Sequence, residues 1–173
     1  MLFDAAHHVF MFLGILFNAI ALVAIAKSTP KSLQDFSIVL FNTALNDLLV
    51  MVLHAMLNSR LFLSGFVVAH MANGPCRLVG DYFCKCLFAL IHAAIMQTCG
   101  IIAISFWYRN RVLRAFGRAF GWCKLQLLIV FAFLPHVPQV CAFLIIVKPR
   151  QFIEPFITRL YGAAHSNAFA VYG

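Results

Sequence analysis

Acidic residues are scarce in this chain. Only five stand among its 173 positions, and Glu154 is the sole glutamate. No zinc-ligand spacing, phosphate-cradling loop or nucleophile elbow appears. The sequence therefore offers no catalytic residue, no metal site and no cofactor site, and it argues against a conventional enzyme. Charge of either sign is thin, at 10% of residues where a soluble domain carries about 25%. What fills the space is apolar: 64% of the chain against roughly 45–50% for a soluble domain. A soluble chain of about 150 residues buries only ~70% of its surface on folding. The surplus must face lipid instead. The formal charge of +8 does not point to nucleic acid, because the basic residues flank apolar runs and form no continuous face.

Four apolar segments have the length of a membrane crossing: about 9–26, 36–58, 84–108 and 125–147. Each is near the ~20 residues a helix needs to span ~30 Å of hydrocarbon. They are continuous rather than alternating, which favours helices over barrel strands. The expected fold class is an all-α membrane protein with four transmembrane helices. The shorter run Leu61–Met71 reads as an extension of the second helix followed by a surface-lying loop. The first segment is expected to be retained, not cleaved: Ala24-Ile25-Ala26 fits a small-x-small site, but the leader lacks Lys and Arg and carries Asp4.

Basic residues set the orientation. Lys27, Lys31, Arg109, Arg111, Arg114, Arg118 and Lys124 fall on one side, and Arg60 and Arg77 on the other. Lys148, Arg150 and Arg159 dilute the contrast, yet the loop after the third span is the most basic. The N-terminus is thus expected outside, with residues 148–173 as an extracellular tail. The stretch Asn73–Cys86, NGPCRLVGDYFCKC, then lies outside, where disulfides persist. Cys76 and Cys84 flank Gly80 and can bond to each other, or one can await another partner. Cys86 sits at the helix mouth, while Cys99, Cys123 and Cys141 are expected as free thiols. The bland alternative leaves all six cysteines free.

Polar groups within spans are expensive and call for a reason. Asp47 is the only acid inside a span. Asn42 and Asn46 lie four apart on the same helix. Asn18 stands eight residues from Ala26, roughly 12 Å, and Asp47 eleven from Phe36, roughly 16 Å at ~1.5 Å per residue. At that similar depth Asn18, Asn42, Asn46 and Asp47 are expected to form an intramembrane polar network. Either it glues helices together, or it is a cation or water site used by a conformational switch. Pro135 and Pro138 should kink the fourth span. His92 and Gln97, with His136 and Gln139 at comparable depth, are candidates for a ligand cavity open to the outside, against simple helix-to-helix hydrogen bonding. Haem ligation by His54, His92 and His136 is disfavoured, since the histidines are not paired on facing helices.

Several motifs recur together in order. KSTPKSLQDFSIVLFNTALNDLL is followed by NGPCRLVGDYFC and then by SFWYRNRVLR, Ser105–Arg114. With Asn18 in the first span, this pattern resembles the nematode serpentine chemoreceptors of class delta, seven-helix G-protein-coupled chemosensory receptors. The match runs from about Phe12 to Arg114. The resemblance implies a receptor for an external small-molecule cue, at the plasma membrane of a sensory cilium, acting on a heterotrimeric G protein. It places Tyr108 and Arg109 at the G-protein-facing end of the third helix. Tyr108 precedes the arginine, so no adjacent acid locks it. Four spans resemble the first four of the seven-helix bundle, and residues 1–173 therefore read as a partial receptor domain: a fragment, a truncated gene model or a degenerate copy. After Val147 no cysteine is present to tie the third helix to a second outer loop.

Two other readings compete. A four-span interaction or scaffold protein needs no further helices and should be stable alone. A transporter or channel subunit should show flux that depends on Asp47.

Overall fold

A computed structural model of the chain describes residues 2–30, 34–64, 67–114, 122–146, 155, 158–159 and 170–172. The order is α1 (Leu2–Ser28), α2 (Gln34–Leu57), β1 (Ser59–Ser64), β2 (Val67–Ala72), a short 3-10 turn (Pro75–Leu78), α3 (Asp81–Arg114), α4 (Trp122–Phe133), α5 (His136–Ile146) and β3 (Ala170–Tyr172). Lipid offers no partner to a backbone N–H or C=O, so long apolar runs satisfy themselves as helices. Among the described residues, four stretches are long and apolar enough to cross: Ala5–Ser28, Phe36–Leu57, Asp81–Val112 and Cys123–Ile146. The surface of α1 is correspondingly greasy, with Phe10 68%, Phe12 65% and Phe17 63% exposed. Most of the expected tail, residues 148–173, and the basic residues Lys31, Arg118, Lys148 and Arg150 lie outside the described residues.

The fourth crossing is two helices rather than one. Its break falls at Leu134-Pro135, where the Leu134 N–H donates to the Phe131 carbonyl (3.1 Å) and the Val137 N–H to the Leu134 carbonyl (3.2 Å). Pro135 has no N–H to continue the α ladder. Pro138 sits in the first turn of α5, where the missing N–H would have had no partner in any case.

The chain divides into two compact units. One comprises residues 1–52 and 92–138. Its core is Ile38, Val39, Ile101, Ile104, Tyr108, Leu125 and Ile129, which knits α2, α3 and α4. α1 meets α2 where Gly14 lies, close against the Met51 side chain.

The other comprises residues 53–91 and 139–173. Here the reading of Leu61–Met71 as a helical extension is corrected. α2 stops at Leu57 because Asn58 takes a left-handed conformation, φ 40°, a common way for Asn to end a helix. The chain then forms an antiparallel hairpin, with Ser59 opposite Ala72 and Ser64 opposite Val67. β3 adds to the free side of β2, His70 opposite Tyr172. The returning strand caps the α2 terminus. The Asn73 N–H donates to the Asn58 carbonyl (3.2 Å) and the Gly74 N–H to the Leu57 carbonyl (3.0 Å), using carbonyls the helix itself leaves unpaired. The core of this unit is Leu53, Leu57, Ala72, Leu87, Phe88 and Ile91, packed about Cys76 and Cys84.

Candidate functional site

Three helices of the first unit are joined by carboxamides. Asn42 and Asn46, one turn apart, present the same face of α2. The Asn46 Nδ2 donates to the Ala94 carbonyl (2.9 Å) and to Thr98 Oγ1 (2.8 Å) on α3. The Asn42 Nδ2 donates to Gln126 Oε1 on α4 (3.0 Å) and to its own Ile38 carbonyl (2.8 Å). Gln97 of α3 is buried and donates from Nε2 to the Ile129 carbonyl on α4 (3.1 Å). Interhelical bonds of this kind contribute about 0.6 kcal/mol each on average in a membrane. Their larger service is to fix which faces of α2, α3 and α4 meet.

The expected four-residue network is therefore only half formed. Asn18 donates to the Gly14 carbonyl of its own helix (2.9 Å) and does not reach α2. Asp47 is half-buried and makes no hydrogen bond among the described residues. The reason is angular: Asp47 stands ~100° around α2 from Asn46, at 3.6 residues per turn, so it leaves the face that meets α3. Thr98 and Gln126 take the places that Asn18 and Asp47 were expected to fill.

Of the expected ligand-cavity group, His92, Gln97 and His136 belong to the first unit. A cleft of about 150 Å³ in the first unit is lined by Asn42, Leu45, Asn46, Leu49, Gln97, Ile101 and Ile129. It takes in Gln97 without His92 or His136. His136 lies edge-on to Phe133, ring centroids 6.1 Å apart. Gln139 is exposed on α5 and belongs to the second unit.

In the second unit Cys76 and Cys84 are disulfide-bonded, with Cα atoms 5.3 Å apart, and both are fully buried. The bond ties the 3-10 turn to the first turn of α3. Cys86, Cys99, Cys123 and Cys141 are free thiols. Alkylation without reductant should accordingly label these four and spare Cys76 and Cys84; finding both of the pair labelled by mass spectrometry would reject the bridge. Lys85, next to Cys84, donates to the Leu144 carbonyl (2.7 Å), one of the last four of α5. A cation there satisfies an orphan carbonyl and opposes the negative end of the helix dipole. Lys85→Met should cost about 1–2 kcal/mol, read as a lower thermal midpoint of the purified chain; an unchanged midpoint would show the contact to be idle. The His70 and Phe88 rings lie tilted against each other (centroids 4.0 Å), as do Phe88 and Phe143 (5.2 Å).

At the far end of α3, Tyr108 is buried and stacks on Phe36 of α2 (centroids 6.2 Å, 21° between planes). The Arg109 guanidinium lies over the same Phe36 ring, 4.7 Å from its centroid. Phe36 thus holds both residues of the Tyr-Arg pair. The aromatic face gives an exposed cation a weak resting place, ~0.5–1 kcal/mol. Arg111 lies over Trp107 at 5.7 Å. Sequence reasoning passed over Phe36 because nothing distinguishes it from the other phenylalanines. Among the described residues, no group of three His, Cys, Asp or Glu is placed to hold a metal ion.

A family model described as serpentine type 7TM GPCR chemoreceptor Srd matches residues 3–173. Among curated proteins, serpentine receptor class delta-1 of Caenorhabditis elegans is 33% identical over 100 residues, 58% of this chain and 27% of that protein. Class delta-3 is 33% identical over 101 residues, 58% of this chain and 29% of that protein. Class delta-18 is 26% identical over 156 residues, 88% of this chain and 45% of that protein. The chain thus spans under half the length of these relatives. No solved structure matches it.

Proposed function

Because the chain belongs to the family of serpentine type 7TM GPCR chemoreceptors, class Srd, we propose that residues 3–173 supply the first four helices of a seven-helix receptor for an external small-molecule cue. In this reading the N-terminus and the hairpin β1–β2 face outward. The end of α3 that bears Tyr108 and Arg109 faces a heterotrimeric G protein at the plasma membrane, in a sensory cilium. The observation that carries the reading is the Tyr108–Arg109 pair held on Phe36 at the end of α3. Buried Tyr108 fixes the helix end, and Arg109 stays exposed with a planar fork of donors available to a partner's carbonyls.

The strand pairing supports the same sidedness. β3 pairs with β2, so residues 170–172 lie beside the loop between α2 and α3. An even number of crossings separates them, as four spans require. The test is a chimera that joins residues 1–147 to the last three helices of the class delta-18 relative, expressed with a G-protein activation sensor. Activation that depends on residues 1–147 supports the reading. A chimera that reaches the cell surface and never activates a G protein, across a panel of G-protein subtypes and candidate cues, would contradict it.

A further inference from the structure

Gln97 uses only half of its carboxamide. Its Nε2 donates to the Ile129 carbonyl, while Oε1 is sealed from the surface and has no hydrogen-bond partner. Exchanging the two ends offers no relief, since Oε1 would then face the Ile129 carbonyl, acceptor against acceptor. The residue is 5% exposed and stands within an apolar helix, where lipid gives the oxygen nothing. A buried acceptor in this position demands a donor.

The space for one is present. Gln97 lines the cleft of about 150 Å³ together with Asn42 and Asn46. A water molecule occupies about 30 Å³ of liquid, so the cleft has room for a few. It falls well below the ~300 Å³ at which drug-sized ligand pockets begin, which separates it from a cue-binding cavity. Its seven lining residues carry no charge, so nothing there repays the dehydration of a cation. The Nδ2 groups of Asn42 and Asn46 are already spent on Gln126, Ile38, Ala94 and Thr98. What these residues still offer is their oxygens.

We propose that this cleft is a built hydration site, in which ordered water donates to Gln97 Oε1 and bridges it to the carboxamide oxygens of Asn42 and Asn46. The bridge completes the joint between α2 and α3 that the direct bonds leave open. Water meets the requirement because it donates two protons and accepts in turn, so two or more carbonyl-type oxygens can share it.

Gly100 supplies a way to replace that water. A Cβ built there stands 3.8 Å from Gln97 Oε1 and 3.6 Å from the Ala132 Cβ, both ordinary contacts. A serine hydroxyl would fit and could donate to Oε1 directly. The experiment is water-edited solid-state NMR of the side-chain carboxamides, on the whole chain in phosphatidylcholine bilayers, with Gln97 assigned by Gln97→Met. Water should reach the Gln97 carboxamide within about twofold of the rate for Asn73, whose carboxamide lies outside the spans, whereas a dry cleft would make it about tenfold slower. In Gly100→Ser the transfer to Gln97 should fall by about tenfold while the Asn46 signal keeps its shift. Slow transfer in the unmodified chain would overturn the proposal, whether or not the serine variant folds. So would a Gln97 signal that moves with sodium chloride and not with choline chloride, since that would make the occupant a cation.

Discussion

Gly74→Val should abolish the folded form of the second unit, the largest effect expected from any single substitution outside the core. A Cβ at Gly74 would collide with the Met56 carbonyl oxygen and stand 2.7 Å from the Leu57 carbonyl carbon. Both are backbone atoms at the end of α2 and have nowhere to go. The same glycine donates its N–H to Leu57, so moving the turn away to relieve the clash also uncaps α2. It would draw the Cys76–Cys84 bridge with it, two residues further on. The cost should be several kcal/mol, on the order of 3 or more, out of a total of about 5–15 for a typical protein. Gly14→Ala is the matched control. There a Cβ would meet the Met51 Sδ at 2.9 Å, but that atom ends a flexible side chain that can swing aside, and the loss should be about 1 kcal/mol or less. Thermal midpoints in detergent and the yield of bridged Cys76–Cys84 decide between them. A Gly74→Val chain that melts like Gly14→Ala would show that the turn is not locked onto α2.

Arg109→Lys should silence the completed receptor while leaving it at the cell surface. Arg109 is exposed, and its only described partner is the Phe36 ring, so the fold does not depend on it. Lysine keeps the charge and satisfies the positive-inside rule equally well. What it loses is the planar fork of donors. One charge-assisted hydrogen bond lost to a partner is about 1.5–3 kcal/mol, or about tenfold or more in G-protein coupling. Arg114→Lys, five residues further along α3, should change little. Dose–response curves from the chimera, scaled to surface expression, make the comparison. Equal losses from the two substitutions would reduce Arg109 to a membrane anchor.

How much of this was legible in the sequence differs from element to element. The four crossings were, because length and continuous apolarity are all that a span requires. The break in the fourth was legible in Pro135 and Pro138. The hairpin was not. Leu61–Met71 was weighed by its apolar content and its length, both of which suit a helix extension. The contrary signals were Asn58, a residue that ends helices, and Gly65-Phe66 set between two apolar runs, the spacing of a two-residue hairpin loop. For the polar residues, the sequence supplies the rise along a helix but not the azimuth. Rise per residue puts Asn18 level with α2, but which face α2 turns toward α3 depends on packing. That packing turned Asn42 and Asn46 toward α3 and α4 and left Asp47 and Asn18 apart. Gln126 and Thr98 lay in plain view, yet a polar residue gains meaning only when its partner is known.

A four-span chain with its N-terminus outside would place the Arg109 end of α3 in the cytosol. Three single epitope tags test it most directly on intact cells expressing the chain: at the N-terminus, between Ser64 and Val67, and at Arg118. Antibody should reach the first two without permeabilisation and the third only after it. A protected N-terminus, or a tag at Arg118 that stains on intact cells, would contradict it.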